Sequence, residues 1–137
     1  MDNLTHSLVG AALSKSSLGR RPGAARGPAS GWWVVGANLP DLDVVSALTG
    51  GRAAYLVVHR GITHSIPGAV AQILAFALLL AAWERRRGRP LALRSALVVA
   101  GASIASHPLL DFLNVYGWRP WLPFDARWIY GDVLFIL

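Results

Sequence analysis

The chain has 137 residues, the length of a single domain. Its hydrophobic content of 54% exceeds the roughly 45–50% of soluble proteins, and its charged content of 15% falls below their roughly 25%. The absence of cysteine excludes disulfides and thiolate metal sites. A soluble nucleic-acid binder is disfavoured despite the net charge of +6, because the arginines lie between apolar segments as they do in membrane proteins.

Two short apolar segments open the chain. LTHSLVGAALSKSSLG covers residues 4–19, and GWWVVGANL covers residues 31–39. Neither is long enough to cross a bilayer, but small residues let helices approach one another closely. We predict two half-buried helices, separated by a basic stretch and followed by the motif PDLD.

The clearest membrane span is IPGAVAQILAFALLLAAW, residues 66–83, which carries no charge. At about 1.5 Å per residue this helix reaches about 27 Å, close to the hydrocarbon thickness of a bilayer. The basic loop ERRRGR follows it, and a weaker apolar run at residues 91–110 returns from that loop. Because basic loops favour the cytoplasm, we expect a multi-pass protein of the inner (plasma) membrane, with the lipid bilayer as its partner.

The order of the segments brings the histidines together. If each segment reverses the direction of the one before, one end of each of the four segments lies on the same face. The two basic loops then lie on the opposite face. The residues on the first face are His6, Asp41, Asp43, His59, His64, His107 and Asp111. We therefore predict an all-α membrane protein with about four helical segments and a His/Asp cluster on one, non-cytoplasmic, face.

Histidine and aspartate without cysteine suit a divalent ion in an open catalytic site, zinc first and manganese or iron next. His107 and Asp111 are four residues apart, so a helix would project both toward one ion. Pro108 between them predicts that a new helix begins there. Each residue alone could instead be a helix cap or a turn residue. The predicted metal ligands are His6, Asp43, His59, His64, His107 and Asp111.

Other polar groups near this face suit a substrate. Arg60, whose charge would repel an ion next to His59, is predicted to clamp an anion. One of the two PDLD carboxylates, Asp41, is predicted to act as general base. The aromatic segment at residues 118–135 is predicted to lie as an interfacial belt over the metal face. The predicted substrate-binding residues are Asn114, Arg119 and Arg127.

Five stretches spread over nearly the whole chain carry a family resemblance. They are MDNLTHSLVG, PDLD, HRGITHS, SHPLLDFLNVYG and PFDARWIYGDVLFI. The chain resembles the LexA-binding, inner-membrane-associated metal-dependent hydrolase family. That family looks distantly related to zinc-dependent phospholipase C and to the zinc nucleases that prefer single strands, helical enzymes that cleave phosphate esters.

The resemblance implies a set of histidine and aspartate metal ligands. This sequence departs from that set in two places. The soluble relatives use a processed amino terminus as a ligand, whereas five residues precede His6 here. No histidine follows His107, so a second downstream pair is missing, and Asp132 is a possible substitute. One or two ions are therefore expected rather than three. The apolar end of the chain is typical of a C-terminally truncated or short member.

These observations predict one domain over residues 1–137, a membrane-bound hydrolase of phosphate esters, either lipid or nucleotide. The metal would activate water, the carboxylate of Asp41 would accept the proton, and Arg60 would bind the anion. The alternative is a non-catalytic membrane protein, in which the metal staples short helices and the protein acts as a sensor or docks a partner. A closed ligand set without a position for water would favour this alternative.

Overall fold

The computed structural model describes residues 2–19, 29–44, 51, 61–115 and 117–133, and all structural statements concern these residues. The α-helices are α1 (Asn3–Lys15), α2 (Ser30–Asn38), α3 (Ile66–Arg86) and α4 (Leu93–Phe112). Two 3-10 helices, Leu39–Val44 and Ile62–His64, follow α2 and precede α3. An isolated antiparallel bridge joins Trp118 to Ile129. The prediction of an all-α protein with about four helical segments is confirmed.

Local chemistry explains where these helices begin. The Asp2 carboxylate caps α1 by accepting a hydrogen bond from the backbone N–H of Thr5 at 2.9 Å. The Ser65 hydroxyl caps α3 by accepting from the N–H of Gly68 at 3.1 Å, and a proline stands in the first turn. Each cap lies within four residues of a histidine, so it also fixes where that histidine enters the fold.

The prediction that a new helix begins at Pro108 was wrong. Helix α4 continues through this proline to Phe112. Proline removes one backbone hydrogen bond and bends a helix, but here Pro108 is buried only four residues before the helix ends. The neighbouring Ile104 is fully buried, so tertiary packing holds the last turn in place.

Small residues set how closely the helices pack. A Cβ on Gly10 of α1 would lie 2.7 Å from the carbonyl oxygen of Trp33 in α2, so the two backbones touch there. A Cβ on Gly36 of α2 would overlap the Ser103 hydroxyl of α4. The apolar core lies between α2, α3 and α4, and its largest members are Trp33, Phe76, Leu80, Val99 and Ile104.

Helices α3 and α4 are each long and apolar enough to cross a membrane. Only 17% of the apolar window of α3 is buried within the protein, against 39% for α4. The outer side of α3 carries the exposed residues Val70, Leu74 and Leu78 at four-residue intervals. A helix with this much exposed apolar surface needs an apolar solvent, which a bilayer provides.

Gly36→Val is expected to lower the free energy of unfolding by about 1–3 kcal/mol, because the new side chain would push α2 away from α4. The Ser103 hydroxyl has no room to retreat, since it donates to the Val99 carbonyl at 2.6 Å. Thermal unfolding in detergent measures the effect. Gly31→Val on the same helix is the control, because nothing lies within 4 Å of its added Cβ. Equal losses in the two variants would contradict this account of the packing.

Candidate metal centre

Four segments of the chain meet at one end of the helix bundle. They are the start of α1, the 3-10 helix that follows α2, the 3-10 helix before α3, and the last turns of α4. The histidines and carboxylates that these segments carry are His6, Asp41, Asp43, His64, His107 and Asp111. The predicted His/Asp cluster on one face is therefore confirmed.

His107 is oriented by the backbone of α2. Its Nδ1 lies 2.7 Å from the carbonyl oxygen of Ala37, which can only accept a hydrogen bond. Nδ1 therefore carries the proton, and the lone pair of Nε2 faces the cluster. A carbonyl that holds the second nitrogen of an imidazole is typical of histidines that bind metals.

His64 is oriented by a second hydrogen-bond chain. The Thr63 hydroxyl donates its only proton to Asp43 Oδ2 at 3.2 Å, so it must accept from His64 Nδ1 at 3.0 Å. The lone pair of His64 Nε2 then also faces the cluster. The His64 Nε2 atom lies 3.1 Å from His107 Nε2. Two lone pairs this close repel each other unless a cation or a proton lies between them.

His6 has the least satisfied side chain of the three. It is fully buried, and neither ring nitrogen has a hydrogen-bond partner in the described part of the chain. Its ring stacks on His107 with centroids 3.7 Å apart, and Nε2 lies 3.7 Å from Asp111 Oδ1. Leaving a buried polar group unpaired costs about 1–3 kcal/mol. A metal ion would remove that cost.

Two carboxylates complete the cluster. Asp41 Oδ1 lies 3.3 Å from Nε2 of both His64 and His107. Asp111 Oδ2 lies 3.8 Å from the same two nitrogens. Ligands about 2.0–2.1 Å from a tetrahedral zinc are about 3.3–3.4 Å apart, so these separations fit an ion at the centre. The residues that could hold a metal ion form two overlapping groups, His6–Asp41–His107 and His64–His107–Asp111.

The ionisation states also suit a cation. Burial by itself raises the pKa of Asp41. Protons on the Nε2 atoms of His107 and His64 would supply hydrogen bonds and charge that outweigh burial and hold that pKa well below its usual range, so positive charge at this position favours the ionised carboxylate. Burial lowers the pKa of His64, because desolvation of the imidazolium outweighs its attraction to Asp41. An ionised carboxylate and a neutral imidazole are the forms that bind metal.

The predicted substrate residues differ in burial. Asn114 is fully buried, and its Nδ2 has no hydrogen-bond partner in the described chain. The Arg119 guanidinium lies 4.5 Å from the Trp128 ring centroid, and its buried Nε is likewise unpaired among the described residues. Arg127 instead pairs with Asp125 at 2.7 Å on the surface.

Among the described residues, one further predicted ligand lies outside this geometry. Asp132 is exposed, with a backbone φ of 50°, and belongs to neither group that could hold a metal. His59 and Arg60 fall outside the described residues. Sequence reasoning also missed two contributors to the site, Thr63 and the Ala37 carbonyl. The tripeptide T-H-S occurs twice, at residues 5–7 and 63–65, and this repeat was a signal for Thr63. No sequence signal marks one backbone carbonyl among many.

The aromatic segment at residues 118–133 is hydrogen-bonded to the end of the bundle that carries the His/Asp cluster, which we call the metal end. Trp118 donates its indole N–H to the His64 carbonyl at 2.6 Å. The N–H of Ile66 donates to the Pro120 carbonyl at 2.8 Å. The predicted placement of this segment next to the metal face therefore agrees with the contacts.

All 137 residues match the model of the YdjM inner membrane protein family. The chain belongs to this family. It is also 30% identical, over 135 residues, to the uncharacterized protein YfhP of Bacillus subtilis (strain 168). That match covers 94% of this chain but only 39% of the relative's length. No solved structure matches the chain.

Family membership supports an inner-membrane location. It agrees with the two candidate spans, α3 and α4, and with the apolar surface of α3. The name of the family describes a location rather than a reaction. The feature of the described residues that bears on chemistry is therefore the His/Asp cluster.

His6→Phe separates a metal centre from a merely buried imidazole. Phenylalanine keeps the ring stack and removes two unpaired nitrogens, so without a metal it would be neutral or stabilising. With a metal, we expect bound zinc to fall at least about tenfold and the zinc-dependent rise in melting temperature to disappear. Metal analysis after dialysis, and unfolding with zinc or with chelator, measure both effects.

Leu8→Ala is the matched control for this variant. Leu8 is exposed on the same helix, so this change should leave zinc content as in the wild type. A His6→Phe protein that keeps full zinc content would exclude His6 from the site.

Proposed function

We propose that this membrane protein is a metal-dependent hydrolase of phosphate esters. The observation that supports the proposal is the pair of facing imidazole nitrogens, 3.1 Å apart, with an ionised carboxylate 3.3 Å from both. Such a set of nitrogen and oxygen ligands suits zinc first, and manganese or iron next. A bound ion of this kind would lower the pKa of water toward about 7 and polarise a phosphoryl oxygen.

We infer a single ion. Both groups that could hold a metal include His107, whose Nδ1 is occupied by the Ala37 carbonyl. Only one lone pair of His107 is therefore available, and it cannot serve two ions. The candidate ligands of this ion are His6, His64, His107, Asp111 and one oxygen of Asp41, of which a zinc ion that also binds water would take three.

The contacts favour different roles for the two PDLD carboxylates. Asp41 faces the imidazole Nε2 atoms, whereas Asp43 lies 3.5 Å from the opposite nitrogen, His64 Nδ1. We therefore assign Asp43 to orienting His64 rather than to binding the ion. Asp41 is the most exposed carboxylate of the cluster, with 13% of its side chain accessible against 3% for Asp111. Its second oxygen is the proposed acceptor of a proton from water.

The phosphate would bind through donors that lack partners. Asn114 Nδ2 and Arg119 Nε are buried hydrogen-bond donors in the segment that follows α4, each unpaired within the described residues. Arginine and amide groups suit phosphate oxygens, and charge-assisted bonds of this kind are the stronger ones. The role of Arg60 as an anion clamp stays a prediction from the sequence.

Asp41→Asn is expected to lower hydrolysis of a phosphate ester at least about 100-fold, because the amide cannot accept the proton. Bound metal should fall much less, because asparagine keeps one side-chain oxygen and the other candidate ligands remain. Turnover of p-nitrophenyl phosphate and metal analysis of the same preparation measure the two quantities. Asp125→Asn, at a surface carboxylate outside the cluster, is the control. Metal lost in step with activity would make Asp41 a ligand only.

The second candidate function is structural, with a metal ion that only holds the helices together. The three imidazoles are fully buried, and they come from three separate parts of the chain, which suits a structural site. This function requires that zinc raises the melting temperature while the zinc-loaded protein hydrolyses no phosphate ester. Hydrolysis that is abolished by chelator and restored by zinc would exclude it.

We propose that the metal centre faces away from the cytoplasm, because the arginine-rich loop between α3 and α4 lies at the opposite end of both helices. Single cysteines test this in a chain that has none. An impermeant thiol reagent on intact cells should label Arg127→Cys at the metal end but not Arg87→Cys in the loop. Permeabilised cells should label both. The reverse pattern in intact cells would invert the orientation.

A further inference from the structure

The metal end of the bundle is surrounded by exposed apolar side chains. Every segment that carries a proposed ligand also carries at least one large apolar residue that is more than half exposed. The aromatic segment tied to His64 carries another. We call this set the apolar girdle, and its members are Leu4, Leu8, Leu42, Ile62, Leu109 and Phe124.

The girdle is continuous with the membrane-facing side of α3. From Ile62, exposed apolar residues recur every four positions through Ile66, Val70, Leu74 and Leu78. Side chains four apart on a helix lie next to one another, so Ile66, Val70, Leu74 and Leu78 form one stripe on α3. The stripe runs from the centre of the candidate span to the first residue of α3, two residues after the candidate ligand His64. Ile62 lies just before this stripe, in the 3-10 helix whose Ile62 carbonyl accepts from the Ser65 N–H at 3.2 Å. The apolar surface therefore does not stop at the level of the metal.

The least buried part of the cluster lies beside this surface. Asp41 is the carboxylate with the greatest accessibility, and the next residue is the girdle member Leu42. The 3-10 helix that begins at Ile62 packs against the 3-10 helix that carries Asp41 and Leu42. An approach to the centre along Leu42 and Ile62 passes over apolar side chains.

We propose that the substrate is a phosphate-bearing membrane lipid that reaches the centre laterally from the bilayer. Its acyl chains would lie against Leu42, Ile62 and the stripe on α3, and its phosphate would lie at the His/Asp cluster. This rests on the proposed function, and it selects lipids over nucleotides among phosphate esters. Each methylene buried in apolar surroundings strengthens binding about fourfold, so the girdle gives a lipid an advantage that a soluble ester lacks.

Binding of alkylphosphonates tests the recognition without relying on catalysis. Methylphosphonate and dodecylphosphonate are titrated into the zinc-loaded protein in nanodiscs, and each affinity is corrected for partition into protein-free discs. We expect dodecylphosphonate to bind at least about tenfold more tightly. Leu42→Ser and Ile62→Ser should reduce this ratio at least about fivefold while keeping bound zinc.

Leu79→Ser is the matched control for these variants. Leu79 is 67% exposed on α3 but lies about 20 Å along the helix from Ile66. Its substitution changes the same kind of lipid-facing surface far from the metal, so the chain-length ratio should stay as in the wild type. An equal affinity for both phosphonates, or an equal loss in all three serine variants, would overturn the proposal.

Hydrolysis assays distinguish this proposal from the function on which it rests. The lipid proposal expects higher kcat/KM for phosphatidate in nanodiscs than for p-nitrophenyl phosphate or a nucleotide. Zinc-dependent hydrolysis that favours the soluble esters would overturn the lipid substrate and leave the hydrolase standing. Chain-length-dependent binding without any hydrolysis would overturn the enzyme and support the lipid as the ligand of a non-catalytic centre.

Discussion

The structure depends on one electrostatic constraint, the close approach of two imidazole lone pairs. His64 Nε2 and His107 Nε2 lie 3.1 Å apart, and the proton on each ring is held on the far side by the Thr63 hydroxyl and the Ala37 carbonyl. With Asp41 3.3 Å from both nitrogens, the cluster concentrates electron density in a buried space. Only positive charge at its centre makes this arrangement favourable.

Helix packing is what makes this approach possible. The Ala37 carbonyl reaches His107 because α2 lies against α4, and that contact requires glycine at position 36 opposite Ser103. The backbone contact between Gly10 and Trp33 places α1, and with it His6, beside the same two helices. Small residues therefore influence the geometry of the His/Asp cluster indirectly, because they set the separation of the helices that carry its side chains.

The opposite end of the bundle is held by a different interaction. Glu84 is buried, accepts from the Trp32 indole at 3.3 Å, and pairs with Arg89 Nε at 3.2 Å. This links α2 to the end of α3 and to the loop beyond it. A buried carboxylate needs such partners, because an unpaired charge away from water is costly. The two ends of α3 are thus fixed by polar networks, while its length between them carries an apolar surface.

The sequence by itself determined the helical class, the span at residues 66–83 and the meeting of His6, His64, His107, Asp41 and Asp111. These follow from hydrophobic length and from the alternating direction of successive segments, which need no side-chain coordinates. The contacts that each carboxylate makes within the cluster were decided by tertiary structure. Asp41 and Asp43 are two residues apart and look equivalent in PDLD, but the 3-10 helix turns one toward Nε2 and the other toward Nδ1.

At Pro108, tertiary structure also decided the course of the backbone. Its local preference predicts the start of a helix, but buried contacts around Ile104 and His107 carry α4 through it. The Ala37 carbonyl and the buried Glu84 were also beyond prediction, because their partners lie 70 and 52 residues away. Such contacts depend on how closely helices pack, and periodicity along a single chain does not determine that distance.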